Sequence, residues 1–144
     1  MTGVHMACDV GSVRIGVARS DPGGVLAFPL DAIAAGPDAI AQLDALITEY
    51  EAVGVIIGLP LNMDGTAGTA AQSAQVWAAQ VADAVSVPVE LLDERLTTVQ
   101  AQRGLHEAGR TVRSSRAVID SASAVVLLQS YLDTSREASS ESAE

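Results

Sequence analysis

Val4-His5-Met6-Ala7-Cys8-Asp9-Val10-Gly11 is the stretch on which the fold turns: an apolar strand that ends in an acid and bends at a glycine. A carboxylate at the tail of such a run is costly to bury without a partner, so Asp9 emerges at the strand's carboxyl end or holds a cation. Gly11 permits a tight turn or a close approach of backbone to a ligand. On residue type alone, Asp9 is equally well a turn residue bonded to its own backbone. The residues further along the chain decide between the two.

Residues 14–19, rich in Ile and Val, read as a second strand in a hairpin with the first. Asp21-Pro22-Gly23-Gly24 is a strong turn signal, and residues 25–33 read as a third strand in which Pro29 marks an edge or a bulge. Gly36-Pro37-Asp38 opens a helix over 39–50, with Ile40, Leu43, Leu46, Ile47 and Tyr50 on one face. Residues 53–57 are wholly apolar and β-branched, the pattern of a central parallel strand. A long helix over 68–85 has an apolar stripe with Val76, Trp77 and Val81, and residues 88–92 form another strand that runs directly into Asp93-Glu94-Arg95. Glu94 is therefore a second acid at a strand exit. Adjacent strand residues alternate faces, so Asp93 is expected to point away from it. Thr97 reads as the cap of a helix to about residue 107, closed by Gly109. A polar, basic linker over 110–115 leads to the final helix, 116–132. Asp120 lies in its first turns, where the helix dipole by itself already favours an acid.

A chain of 144 residues fits one domain with a proper core. Residues 1–133 are expected to form it, and the Ser- and Glu-rich stretch 134–144 is expected to be a disordered acidic tail. No apolar run approaches the roughly 20 residues that span a bilayer, and no signal peptide opens the chain, so a cytoplasmic protein with no membrane partner is expected. The single cysteine, Cys8, excludes a disulfide framework and a cysteine-rich metal site, and mid-strand it reads as a small core hydrophobe. His5 has no sequence partner that would make it a base, and His106, on a helix among polar neighbours, reads as a surface histidine. A net charge of −10 argues at first sight against nucleic acid as partner. Its distribution tempers that: the chain has no lysine, and Arg103, Arg110, Arg113 and Arg116 cluster in one short segment. With 3% aromatics, Trp77 reads as a core residue rather than a platform for stacked bases.

Three strands in a meander followed by β-α-β crossovers give an α/β architecture: a mixed five-stranded sheet with helices on both faces, the ribonuclease H-like arrangement. There the exits of neighbouring parallel strands lie together at one edge, where ligands bind. Asp9 and Glu94 sit at such exits, and the final helix could bring Asp120 beside them. Carboxylates so gathered repel one another unless cations lie among them, and hard oxygen ligands select Mg²⁺ or Mn²⁺.

Four separated motifs carry a family resemblance: Asp9-Val10-Gly11 with Arg14-Ile15-Gly16-Val17-Ala18; Gly58-Leu59-Pro60-Leu61-Asn62-Met63-Asp64-Gly65; Asp93-Glu94-Arg95-Leu96-Thr97-Thr98; and Asp120 with Leu128-Gln129-Ser130-Tyr131-Leu132. In this order they resemble the YqgF family of bacterial Holliday-junction-resolvase-like proteins, also known as pre-16S rRNA nucleases. The resemblance runs from about Met6 to Asp133. One departure stands out: Val13 occupies the place where the family often has lysine before the arginine of its first motif. The resemblance implies a RuvC-like ribonuclease H fold and metal-dependent cleavage of RNA, the 5′ end of pre-16S rRNA, or of branched or single-stranded DNA. The implied catalytic and metal-binding set is Asp9, Glu94 and Asp120, with Asp9 bridging a pair of Mg²⁺ or Mn²⁺ ions. Arg110, Arg113 and Arg116, with Arg14 and Arg95 closer to the site, would hold the phosphate backbone without reading its sequence. Asp64 belongs to a turn and reads more readily as a local backbone partner than as a ligand.

Two other readings compete with the nuclease. Asp-x-Gly followed by a strand pair also fits the first phosphate loop of an actin-like ATPase module, although such enzymes bind nucleotide between two domains of this kind. A catalytically silent assembly protein that binds nucleic acid fits the acidic balance. Monomer and homodimer are equally compatible with the sequence.

Overall fold

The computed structural model describes residues 3–96 and 119–142, with side chains as far as Ser135. Five strands form a single sheet in the order β3-β2-β1-β4-β5: β1 Val4–Val10, β2 Arg14–Ser20, β3 Ala27–Ala34, β4 Ala52–Leu59 and β5 Val89–Asp93. The meander β1-β2-β3 is antiparallel, while β4 and β5 run parallel to β1. The strand that ends in Asp9 is thus central, with two strands on either side. Pro29 lies on the edge strand, where a missing N–H donor costs nothing in the ladder.

Alternation along β1 sorts the core into two layers. Val4, Met6 and Cys8 face α1 (Ala39–Tyr50) and α2 (Thr69–Ala84) and pack with Leu43, Ile47, Val55, Ile57 and Val81. Ala7, with Ala18, Ala27 and Ile56, faces the last helix, α3 (Ala122–Ser142), and meets Ala124, Val125, Leu128 and Leu132. The small residues of this second layer let α3 lie close across β1, β2 and β3. Cys8 is fully buried, and desolvation pushes its thiol up to about 12, so it is an inert core residue as expected. Trp77 packs, partly buried, against the first layer.

The turn signal at Asp21 is realised through its carboxylate, which accepts hydrogen bonds from the N–H groups of Gly23, Val25 and Leu26 at 3.1, 2.8 and 2.7 Å. Those bonds hold its carboxyl below the usual range.

The end of the chain differs from the sequence expectation. Ile119 and Asp120 are helical, Ser121 interrupts, and α3 then continues to Ser142, through most of the stretch that composition marks as a disordered tail. Once its first three turns are fixed against the sheet, each further residue adds one backbone hydrogen bond without a new nucleation cost. The expected helix over 97–107 and the basic linker over 110–115 lie outside the described residues. No helix among the described residues is long and apolar enough to cross a membrane.

Candidate active site

The site lies where β1, β4 and β5 end, on the face covered by α3. Asp9 follows Ala7 by two residues and so shares its face, the one turned to α3. The ladders set Asp9 opposite Gly16 on β2 and, one residue beyond the Cys8–Ile57 pair, beside Gly58 on β4. Glu94 follows Leu92 by two and occupies the same face.

The two glycines next to Asp9 are what bring the acids together. A β-carbon on Gly58 would collide with the Glu94 carboxyl and stand 3.1 and 3.2 Å from its Cδ and Cγ, so the bare glycine is the seat on which the Glu94 side chain lies. A β-carbon on Gly16 would stand 2.8 Å from the Asp120 carbonyl oxygen and 3.2 Å from Ser121 Cα. The segment that carries Asp120 therefore docks against the strand directly opposite Asp9. The motif glycines are spaces for these contacts, a role that their sequence position alone does not reveal.

Glu94 reaches Asp9. Burial, and then a hydrogen bond to the Asp9 carboxyl and the charge of that group, push the Glu94 carboxyl up to about 7. A carboxyl–carboxylate hydrogen bond needs a proton between the two, and like charges this close cannot both ionise freely. Asp93 lies on the opposite face, as expected from alternation. It takes Arg95 in a fork, Nε donating at 3.1 and 3.0 Å and Nη2 at 2.7 Å, which holds the Asp93 carboxyl low.

Asp120 comes to the same end of the sheet but does not close a three-carboxylate cluster. Its Oδ1 lies 3.5 Å from Nη1 of Arg14, whose side chain is half exposed. Among the described residues no group of three ligating side chains stands close enough together to hold a metal ion. Asp9 and Glu94 thus form a close pair, and Asp120 stands at the same end of the sheet beside Arg14. A groove of about 500 Å³ opens beside this ion pair, lined by Val13, Arg14, Asp31, Ala32, Ala34 and Asp120. Val13, in the place of the family's lysine, is exposed on its rim.

Two polar residues of the last segment, Ser121, which sequence reasoning passed over, and Gln129, which it named only within a motif, tie this segment to the sheet. Val17 and Leu30 are register partners at a bulge between β2 and β3, and the Ser121 hydroxyl is inserted into their rung. It accepts from Val17 N–H at 2.9 Å and donates to the Leu30 carbonyl at 2.7 Å, with Ser121 fully buried. Eight residues on, Gln129 accepts from Ala27 N–H at 2.9 Å and donates to the Val25 carbonyl at 2.8 Å. The signal was a polar Ser and Gln in an otherwise apolar helical stripe.

Arg95 is held by several contacts at the end of β5. Besides its fork on Asp93, its Nη1 donates to the Met63 carbonyl at 3.3 Å and so ties the loop after β4 to the end of β5. Asp64 accepts from Thr66 N–H at 3.0 Å and from its hydroxyl at 2.7 Å, the local turn role that the sequence favoured. Arg110, Arg113 and Arg116 lie outside the described residues.

The family model described as "RuvX: Holliday junction resolvase" matches residues 3–134. The chain belongs to the RuvX family. This is the YqgF family that the four motifs resembled. Two curated RuvX relatives, both named "Putative pre-16S rRNA nuclease", show how near it lies. The protein of Thermobifida fusca is 48% identical over 143 residues, covering 94% of this chain and 90% of its own. That of Cutibacterium acnes is 43% identical over 144 residues, covering 99% and 90%. Among solved structures, Thermus thermophilus RuvC in complex with a Holliday junction substrate superposes with a TM-score of 0.61 at 16% identity, over 93% of this chain and 96% of that one. At that identity the likeness establishes the fold, which is ribonuclease H-like.

Proposed function

We propose that this chain is a metal-dependent nuclease that hydrolyses phosphodiester bonds, with the 5′ end of pre-16S rRNA as its substrate in the cytoplasm. The observation that carries the reading is the Asp9–Glu94 pair: two hard carboxylates pressed together at the exits of parallel strands, the Glu94 carboxyl seated on Gly58 and pushed up by burial and by its contact with Asp9. Family membership and the names of the relatives support nuclease chemistry. The family description also supports branched DNA as a second substrate. Residues 1–133 form the catalytic domain in this reading, which agrees with the extent of the family match.

The donor set fits Mg²⁺ or Mn²⁺, because oxygen ligands of like charge are what such ions bind and reconcile. Asp9 and Glu94 would hold such an ion, and Asp120 would join them by exchanging its contact with Arg14. When bound, the metal supplies a water of lowered pKa and stabilises the charge on the leaving oxygen. The chain's own residues do the rest. Gly58 keeps the Glu94 carboxyl on the Asp9 face, and Gly16 with Ser121 keeps Asp120 within reach of it. Arg14, once released from Asp120, meets a phosphate at the groove, and Arg110, Arg113 and Arg116 hold the strand on either side. Arg95 positions the loop before it touches any phosphate.

The test is a panel of structured RNA, single-stranded RNA and branched DNA assayed with Mg²⁺ and Mn²⁺. Asp9→Asn keeps side-chain size and removes the charge, so it should abolish cleavage with the fold intact. Full activity of that variant, or cleavage indifferent to chelation, refutes the proposed site.

A further inference from the structure

The face of the sheet that α3 covers has a second polar site, at the end away from the catalytic carboxylates. His5 precedes Asp9 by four residues on β1, and Glu90 precedes Glu94 by four on β5, so both stand on the same face as those acids, about 13 Å back along the strands. Between them lies Gly54 of β4, the register partner of His5. A β-carbon on Gly54 would stand 3.4 and 3.6 Å from Cδ2 and Nε2 of the His5 ring, so the bare glycine is the floor over which the imidazole lies. Tyr131 closes the site from α3, its ring centre 5.7 Å from that of His5 and the two planes at 41°. The result is a recess of about 160 Å³ walled by His5, Glu90 and Tyr131, with Val53 and Pro88 exposed at its rim.

The polar groups of the recess are of one kind. His5 Nδ1 is buried and makes no hydrogen bond among the described residues. Burial brings the imidazole below its ordinary pKa, against the pull of the Gly3 carbonyl and of Glu90, so at neutral pH the ring is uncharged and one of its nitrogens is an acceptor. Glu90 forms no ion pair among the described residues. Burial, and then the charge of Glu90 and a hydrogen bond to it, hold the Tyr131 phenol above its ordinary range, so it stays a neutral ring. An acceptor nitrogen, a carboxylate without a counter-charge and an aromatic ring thus line one space. Glu90 repels an anion, and the described residues supply no third ligating side chain for a metal. A planar cation with several N–H donors meets all three groups together: a guanidinium forks onto a carboxylate, donates to an imidazole nitrogen and stacks on an aromatic ring. A lysine ammonium, a point charge, would use the carboxylate alone. We propose that this recess receives an arginine side chain of a basic polypeptide partner, with the methylene stem laid on Val53 and Pro88. The net charge of −10 draws a basic partner to the molecule, and the place of the recess leaves the Asp9–Glu94 edge free while the partner is bound.

The experiment follows the His5 imidazole signal of the full chain by NMR, with the Trp77 indole signal as a remote control, at constant ionic strength. Ethylguanidinium should shift the His5 signal saturably, with a Kd on the order of millimolar for so small a group, and leave Trp77 unmoved. Ethylurea, of the same shape without the charge, should shift neither. Glu90→Gln, a change at an exposed position, should weaken the ethylguanidinium response at least tenfold with an unchanged Tm. A short peptide with one arginine among glycines should bind more tightly than ethylguanidinium, its citrulline counterpart should fail to bind, and spermidine should bind more weakly than the arginine peptide. A His5 signal indifferent to ethylguanidinium, an equal response in Glu90→Gln, or spermidine binding more tightly than the peptide overturns the proposal. None of these readouts depends on cleavage, so the nuclease reading stands or falls separately.

Discussion

Replacing Glu94 by Gln should make the metal-free protein more stable at pH 8 and leave it nearly unchanged at pH 4.5. Gln keeps the shape and can donate to Asp9 permanently, whereas Glu donates only while protonated. The folded state raises the Glu94 carboxyl from 4.5 to about 7. A carboxyl raised on folding contributes stability that is present below its unfolded value and lost as pH climbs through the folded one. The wild type should therefore weaken across the window from 4.5 to 7, with no counterpart in the variant. At about 1.36 kcal/mol per unit the full shift corresponds to roughly 3 kcal/mol. Glu94 is only half-buried, so solvent screening reduces this to about 1 to 2 kcal/mol. In a domain of this size that is a difference of roughly 3 to 6 °C in Tm. Thermal unfolding in EDTA from pH 4.5 to 8 measures it for both proteins. Parallel curves, or a variant less stable at pH 8, would show that the two acids are not coupled. Added Mn²⁺ should then raise the wild-type midpoint at pH 8 more than that of Glu94→Gln, since the ion binds the folded carboxylates and not the dispersed ones.

Gly58→Ala should push the Glu94 carboxyl off its seat, so cleavage should fall at least tenfold and the loss of stability between pH 4.5 and 7 should flatten. An alanine variant with wild-type kinetics would mean that Glu94 does not need that seat. Ser121→Ala leaves the Val17 N–H and the Leu30 carbonyl without their bridge in a dry layer, a cost of about 1 to 3 kcal/mol in urea unfolding. If a water restores the rung, the midpoint will not move. Replacing Arg110, Arg113 and Arg116 together by Ala should weaken binding by a similar factor on every sequence. It should also flatten the salt dependence by about one unit of slope for each phosphate that is no longer gripped; titrations at several salt concentrations read this, and an unchanged slope would mean that the strand enters elsewhere.

Strand and helix boundaries were legible because they follow local periodicity. The run Val4–Val10 and the helix Ala39–Tyr50 stand where their apolar spacing put them, and the β-α-β order then forced a mixed sheet with β1 at its centre. The placement of Asp9 and Glu94 at strand exits on one edge of the sheet followed from the same logic, since a strand's end is a property of its own sequence. Other features depended on which residues meet across the sheet. That Gly58 is the bed for Glu94, that Gly16 admits the Asp120 segment, and that a serine hydroxyl fills a broken rung at Val17 are facts of register and close approach between residues as far as 104 positions apart. The partner of Asp120 belongs to this class as well: a charge can be read from the sequence, but whether it is settled by a metal, a proton or Arg14 is decided by the energy of the assembled site. The helix past Leu132 fell between the two, because its composition is that of a disordered tail and only the preceding turns, fixed on the sheet, supply the nucleus from which it extends.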